Sequence, residues 1–274
     1  MAMRFKMFLL FYCSQFKPVR VRIVPKTNAA VRMTPKIIIW LHDAGCMMKA
    51  RKLLVQRLGL VDYDSGLATQ KKTELAVKAG VQSDTLLLLE HPHTLTIGRR
   101  GDSSAILLDE DQLKQRNVTL FETNRGGKVT YHGLGQVVGY PIINLSPDRE
   151  DVHRYVRDLE EVLIRTLSDF GIDAFRIEGL TGVHTQRGKV AAIGVHIARW
   201  VTTHGFALNV NTDLSYFDLI IACEGEPVTS MEELLGDETE LSVVEERIVA
   251  HFAKVFSYKY ESLSFSGLTC STLK

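Results

Sequence analysis

The chain has 274 residues, 45% hydrophobic and 24% charged, with 20 glycines and only 7 prolines. That composition excludes collagen, low-complexity disorder and a coiled-coil rod, and the length suffices for a sizeable core. The net charge of +1, from 33 basic and 32 acidic residues, offers no overall field to draw nucleic acid or a membrane, and no apolar run reaches the roughly 18 residues of a membrane span.

Charge is unevenly placed along the chain. Residues 1–42 hold eight basic residues (Arg4, Lys6, Lys17, Arg20, Arg22, Lys26, Arg32 and Lys36) and no acid before Asp43. Taking those eight from 33 leaves 25 basic against 32 acidic residues, so the body is net −7. A basic, acid-free leader has the look of an organelle transit segment, with chloroplast ahead of mitochondrion. A basic arm for a partner is another reading of it, and so is upstream translated sequence, with Met47 or Met48 as the start; without import the protein would be cytoplasmic. The expected division is therefore 1–47 extension, 48–260 one catalytic domain, and 261–274 a tail.

Within the body, a first helix is expected inside 64–80, stopped near Gly80. Asp84 to Glu90 (DTLLLLE) reads as a buried strand, and His93 to Gly98 (HTLTIG) as its alternating neighbour. A short polar helix follows at 109–116. Val118 to Glu122, Lys128 to Tyr131 and Gln136 to Ile143 are further strands. The clearest helix is 151–170, where Val152, Tyr155, Val156, Leu159, Val162, Leu163, Leu167 and Phe170 recur at helical spacing before Gly171. Strands at Gly182 to Gln186, Lys189 to Ile197 and Thr202 to Val210 come next, the first two joined by a tight turn at Arg187–Gly188. Leu241, Val244, Ile248, Phe252 and Val255 mark a last amphipathic helix, and the final dozen residues stay unassigned. Grouped strands and grouped helices, without βαβ alternation, give an α+β fold: a mixed, largely antiparallel sheet with packed helices.

Residues 125–136 read RGGKVTYHGLGQ. Glycines let backbone turn sharply and approach a ligand, while Arg125, Lys128 and His132 add charge and donors. Neither GxGxxG before a helix nor GxxxxGK[ST] is present, so no standard phosphate cradle applies. A slot for a thin, flexible chain and a set of hairpin turns without a ligand both remain open.

Four cysteines, Cys13, Cys46, Cys223 and Cys270, show neither CxxC pairing nor zinc spacing, so no disulfide framework or metal is expected and a reducing compartment fits. Only Cys223 sits inside the body. A thiol is mostly protonated at neutral pH, and a nearby ammonium favours its thiolate. Lys189 opens the strand KVAAIGV among small residues and is the candidate ammonium. Taken alone, an inert core cysteine and a solvated lysine remain open for the two.

Taken together, RGGKVTYHGLGQ, KVAAIG, HGFALNV and a cysteine before a VTS triplet resemble the lipoyl(octanoyl) transferase family across about 51–250. The resemblance implies a fold like the catalytic domain of biotin and lipoate protein ligases. It implies transfer of octanoyl from octanoyl-acyl carrier protein to a lysine of the lipoyl domains of 2-oxoacid dehydrogenase complexes and of glycine cleavage H protein, the first step of endogenous protein lipoylation. It implies no cofactor and no metal, with Cys223 as the thioester nucleophile and Lys189 lowering its pKa and serving as acid and base. Substrate contacts carry over to Arg125, Gly126, Gly127, Lys128, Val129, Thr130, Tyr131 and His132, to Ala192, Ile193 and Gly194, and to Gly205, Phe206 and Ala207. Ala222-Cys223-Glu224-Gly225 departs from the family's Pro-Cys-Gly-Ile, Leu134 stands where proline is usual, and His184 stands where tryptophan is common. The alternatives are an ATP-dependent lipoate or biotin ligase and an acyl-binding homologue with an impaired dyad. Neither nucleic acid nor a membrane is an expected partner. Arg99, Arg100, Arg125 and Lys128 form the candidate basic patch for an acidic carrier protein.

Overall fold

A computed structural model describes residues 51–221 and 226–263, with side chains to 260. The basic leader, Cys223 with its neighbours Ala222, Glu224 and Gly225, and the end of the tail lie outside the described residues.

Seven strands form the main sheet: β1 (Arg51–Leu60), β2 (Asp84–Glu90), β6 (Gln136–Ile142), β7 (Val183–Thr185), β8 (Gly188–Ala198), β9 (Val201–Asn209) and β10 (Tyr258–Leu263). Their order is β10-β1-β2-β6-β9-β8-β7. β1 runs parallel to β10 and β2, and the remaining neighbours are antiparallel. A smaller sheet has the order β4-β3-β5, from β3 (Thr94–Ile97), β4 (Thr119–Glu122) and β5 (Val129–His132). The expected mixed, largely antiparallel sheet with packed helices is what the chain forms.

The apolar run in β2 has a direct cause. Leu86 and Leu88 face a core built with helices α3 (Val152–Asp169) and α5 (Leu241–Phe256). Leu87 and Leu89 face the opposite side, with Val77 of α1 (Tyr63–Lys78). A strand covered on both faces needs no alternation. α3 starts where Asp151 caps the Arg154 backbone N–H at 3.0 Å, and it ends before Gly171 at φ 75°. The short helix α2 (Glu110–Gln115) carries a full capping box between Asp109 and Gln112.

One expectation needs correction. His93 to Gly98 does not neighbour β2, because β1 and β6 occupy both edges of β2. The turn at His91–Pro92 carries the chain into the smaller sheet, where β3 pairs with β4 and β5. All four β3 residues are buried, since the Thr94 hydroxyl donates to Pro92 O at 2.8 Å and Thr96 accepts from Arg125. β1 and β10, unassigned from sequence, complete one end of the main sheet.

Candidate active site

A cavity of about 350 Å³ opens between the two sheets, within the size range of a small-molecule site. On β5, Val129, Thr130 and His132 line the cavity and Tyr131 does not. Tyr131 points into the core of the smaller sheet, stacks 5.0 Å from Tyr216, and bonds His93 Nδ1 through its hydroxyl at 2.7 Å. Among the residues of the expected contact set, Tyr131 is thus one that the described cavity lining does not include.

The remaining described residues in the expected contact set all line the cavity. β8 and β9 supply three facing pairs, Ala192 with Ala207, Ile193 with Phe206, and Gly194 with Gly205. The Arg125–Gly127 loop lies on β8, with Gly126 N–H donating to Val195 O at 2.9 Å. Gly127 takes φ 91°, in the left-handed region that favours glycine. A Cβ on Gly194 would meet Gly126 O at 2.8 Å, so main chain touches main chain there.

Arg125 belongs to this framework. It is 7% exposed, and its guanidinium donates to Thr96 Oγ1 at 2.8 Å, Thr96 O at 2.7 Å and Gly126 O at 3.0 Å. It therefore cannot join an exposed basic patch, which corrects that part of the expectation. Arg99, Arg100 and Lys128 are exposed, and the last two line the cavity mouth.

Three histidines are held neutral here: His132 and His204 line the cavity, and His91 lies against His132 with ring centroids 5.9 Å apart. Burial, followed by the charges of neighbouring His91 and Arg125, pushes His132 down to about 3. Burial likewise brings His91 and His204 to about 4. Gln136 Nε2 donates to Asn209 Oδ1 at 2.9 Å and to Tyr131 O at 3.2 Å, which turns its Oε1 to His132 Nδ1 at 2.9 Å. Nδ1 therefore carries the proton, and His132 Nε2 is left as an acceptor. His91 donates to Val61 O from Nδ1 and accepts the Tyr140 hydroxyl at Nε2, 2.8 Å away. Burial pushes the Tyr63 phenol up to about 12, so it stays a donor.

Lys189 sits at the start of β8, with its side chain 18% exposed on the cavity wall. Its backbone N–H donates to Pro227 O at 2.8 Å, and Thr229 N–H donates to Lys189 O at 3.0 Å. Its Nζ lies 3.3 Å from Glu226 Oε2, which also takes His184 Nε2 at 3.2 Å. Burial works against the charge on Glu226, but the His184 hydrogen bond and the Lys189 charge outweigh it and hold the carboxyl below its usual range. The segment after Cys223 is thus clipped to Lys189; Cys223 itself lies outside the described residues. Chemically, the cavity combines a narrow slot, neutral donors and acceptors within, and an ammonium at its wall.

Sequence reasoning missed Tyr63, Tyr140, Asn209 and Glu226 as lining residues. Tyr63 opens α1 and carries no motif; Glu226 meets Lys189 only because a loop returns from far along the chain.

Residues 62–253 match the family described as the lipoyl protein ligase A/B catalytic domain. An octanoyltransferase of Solibacter usitatus is 50% identical over 210 residues, covering 76% of this chain and 95% of that protein. An octanoyltransferase of Caldicellulosiruptor saccharolyticus is 45% identical over 221 residues, covering 79% and 94%. Among solved structures, lipoate-protein ligase A bound with ATP matches with TM-score 0.62 at 16% identity, covering 78% of this chain and 90% of that one. A bipartite lipoate protein ligase from Thermoplasma acidophilum matches with TM-score 0.60 at 17% identity, covering 77% and 88%. At those identities the structural likeness speaks for the fold.

Proposed function

The chain belongs to the lipoyl protein ligase A/B catalytic-domain family, and from that premise we propose that it is an octanoyltransferase of protein lipoylation acting through a cysteine thioester. The activity follows the octanoyltransferase relatives, with up to 50% identity over 95% of the relative's length. The observation that carries the mechanism is the clip between Lys189 and segment 226–229. Cys223 precedes Glu226 by three residues, and three residues of extended chain span at most about 10 Å. A link of that length permits the Cys223 thiol to approach Lys189, and the proposed mechanism takes it to do so.

In this reading the octanoyl chain lies in the slot over Ala192, Gly194, Gly205 and Ala207, each buried methylene contributing about 0.8 kcal/mol. The Lys189 ammonium favours the Cys223 thiolate, which attacks the thioester carbonyl of the donor. The carbonyl carbon bonds to Cys223 sulfur, and the donor leaves as a thiol that takes a proton from Lys189. One thioester replaces another, a nearly balanced exchange that needs no nucleotide. The acceptor amine then attacks the acyl-enzyme, neutral Lys189 takes its proton, and Cys223 leaves. Neutral donors such as Tyr63 orient the bound carbonyl.

In this proposal the donor is an octanoyl-acyl carrier protein and the acceptor a lysine of a lipoyl domain, a reading that the octanoyltransferase relatives support. The acid-free leader supports import into a chloroplast or mitochondrion. Recovery of native protein with its first residues intact would overturn that address.

The deciding experiment is incubation with octanoyl-acyl carrier protein followed by intact mass. We expect an octanoyl adduct that hydroxylamine removes and that Cys223→Ala abolishes. Equal labelling of that variant, or ATP-dependent pyrophosphate release with free octanoate and no adduct, would sink the thioester route.

A further inference from the structure

We propose that Glu226 is a positioning residue for Lys189: one carboxylate oxygen, shared between Lys189 Nζ and His184 Nε2, holds the ammonium against the cavity wall. A lysine head rides on a flexible four-carbon stem and takes up many rotamers unless something fixes it. Two features fix this one. The stem is walled by the backbone of Gly182, where a Cβ would come within 3.0 Å of Lys189 Cε. The head meets Glu226 Oε2 at 3.3 Å.

That oxygen is itself held from two directions. His184, 2% exposed, donates to it from Nε2 at 3.2 Å and has no partner at Nδ1 among the described residues. The backbone just beyond Glu226 is pinned at Pro227 O and Thr229 N–H to the main chain of Lys189. Main-chain and side-chain contacts thus converge on a single lysine, which is the requirement for a pre-organised group. No hydrogen bond engages Glu226 Oε1 among the described residues, so the one shared oxygen carries the arrangement. An amide oxygen in the same place could accept from both donors.

Glu226 matters to catalysis only if Lys189 is the acid–base lysine proposed above, so the experiment separates the two. In the full-length protein, trace acylation of amines with acetic anhydride, read at Lys189 by mass spectrometry, reports how firmly the head is held. Glu226→Ala should raise the Lys189 labelling rate about tenfold and slow octanoyl-adduct formation about tenfold, with the donor KM unchanged. Glu226→Gln keeps a shared oxygen and should restore both to within about threefold of the native protein. Unchanged labelling in Glu226→Ala, or Gln behaving as Ala does, would overturn the proposal. If Glu226→Ala does not fold, His184→Phe removes the other hydrogen bond and should give the same rise in labelling. Native protein that forms no adduct would overturn the thioester route instead, and the labelling contrast would still decide the role of Glu226.

Discussion

Burial rather than charge pairing shapes the chemistry of single residues in the cavity. His91, His132 and His204 are neutral because their sites are dry, with folded values near 4, 3 and 4 against an unfolded value of about 6.5. The unfolded chain therefore binds protons that the folded chain refuses. Stability from this cluster is complete above about pH 6.5 and is lost as the pH falls toward the folded values. Each histidine contributes a slope of about 1.4 kcal/mol per pH unit in that window. We expect His132→Gln to flatten urea-melt stability between pH 6 and 4 by about one such slope; an unchanged slope would show that His132 is not held neutral. At this scale the sequence was partly readable. The glycine-rich run announced the loop, with a slot as one of two readings left open for it. Glu226 was invisible, because its partners Lys189 and His184 lie across a turn that no local pattern encodes.

Individual elements are held by a few polar contacts that sequence periodicity does not reveal. Glu160 of α3 is fully buried, with Oε1 accepting Gly182 N–H at 3.2 Å and Oε2 accepting from Arg157 at 2.8 Å and Arg176 at 3.1 Å. It ties the helix to the segment that walls Lys189. Glu160→Ala leaves the buried Gly182 N–H without its partner, while the part-exposed Arg157 and Arg176 can turn to water, and should cost about 1–3 kcal/mol in chemical denaturation; no measurable loss would show that water replaces the carboxylate. Gly188 makes the turn between β7 and β8 at φ 135°, and a Cβ there would press on Pro227 O. Gly188→Ala should displace segment 226–229 and cut adduct formation at least tenfold while the core keeps its thermal midpoint within a few degrees. Equal activity would argue that the clip is dispensable. Helices α3 and α5 were legible because one face of each packs on the sheet. β10 was not, because its place is set by pairing with β1 from the far end of the chain.

Across the whole molecule, the averages of charge and hydropathy conceal how function is distributed. The body is acidic, yet exposed Arg99, Arg100 and Lys128 gather beside the mouth of the cavity. Burial lowers the value of His196, and Arg99 lies close enough to lower it further. Such a rim fits an acidic carrier, and Arg99→Glu with Arg100→Glu should raise the carrier-protein KM about tenfold at low salt, the difference shrinking as salt screens it. A KM unchanged at low salt would remove the rim from recognition. The α+β class could be read from grouped strands and helices, whereas the second sheet could not, since β3 looks like any hairpin partner until the edges of β2 are seen to be taken.

The contact of the Gly126 carbonyl on Gly194 has a consequence for evolution at this site. A wall made of side chains can be carved deeper by a smaller residue. A wall made of main chain can only be built upon, because glycine is already the least that a position can hold. At that point every substitution shortens the slot. A shift toward longer ligands must come from lining residues that carry side chains, such as Phe206 or Tyr140, where there are atoms to remove.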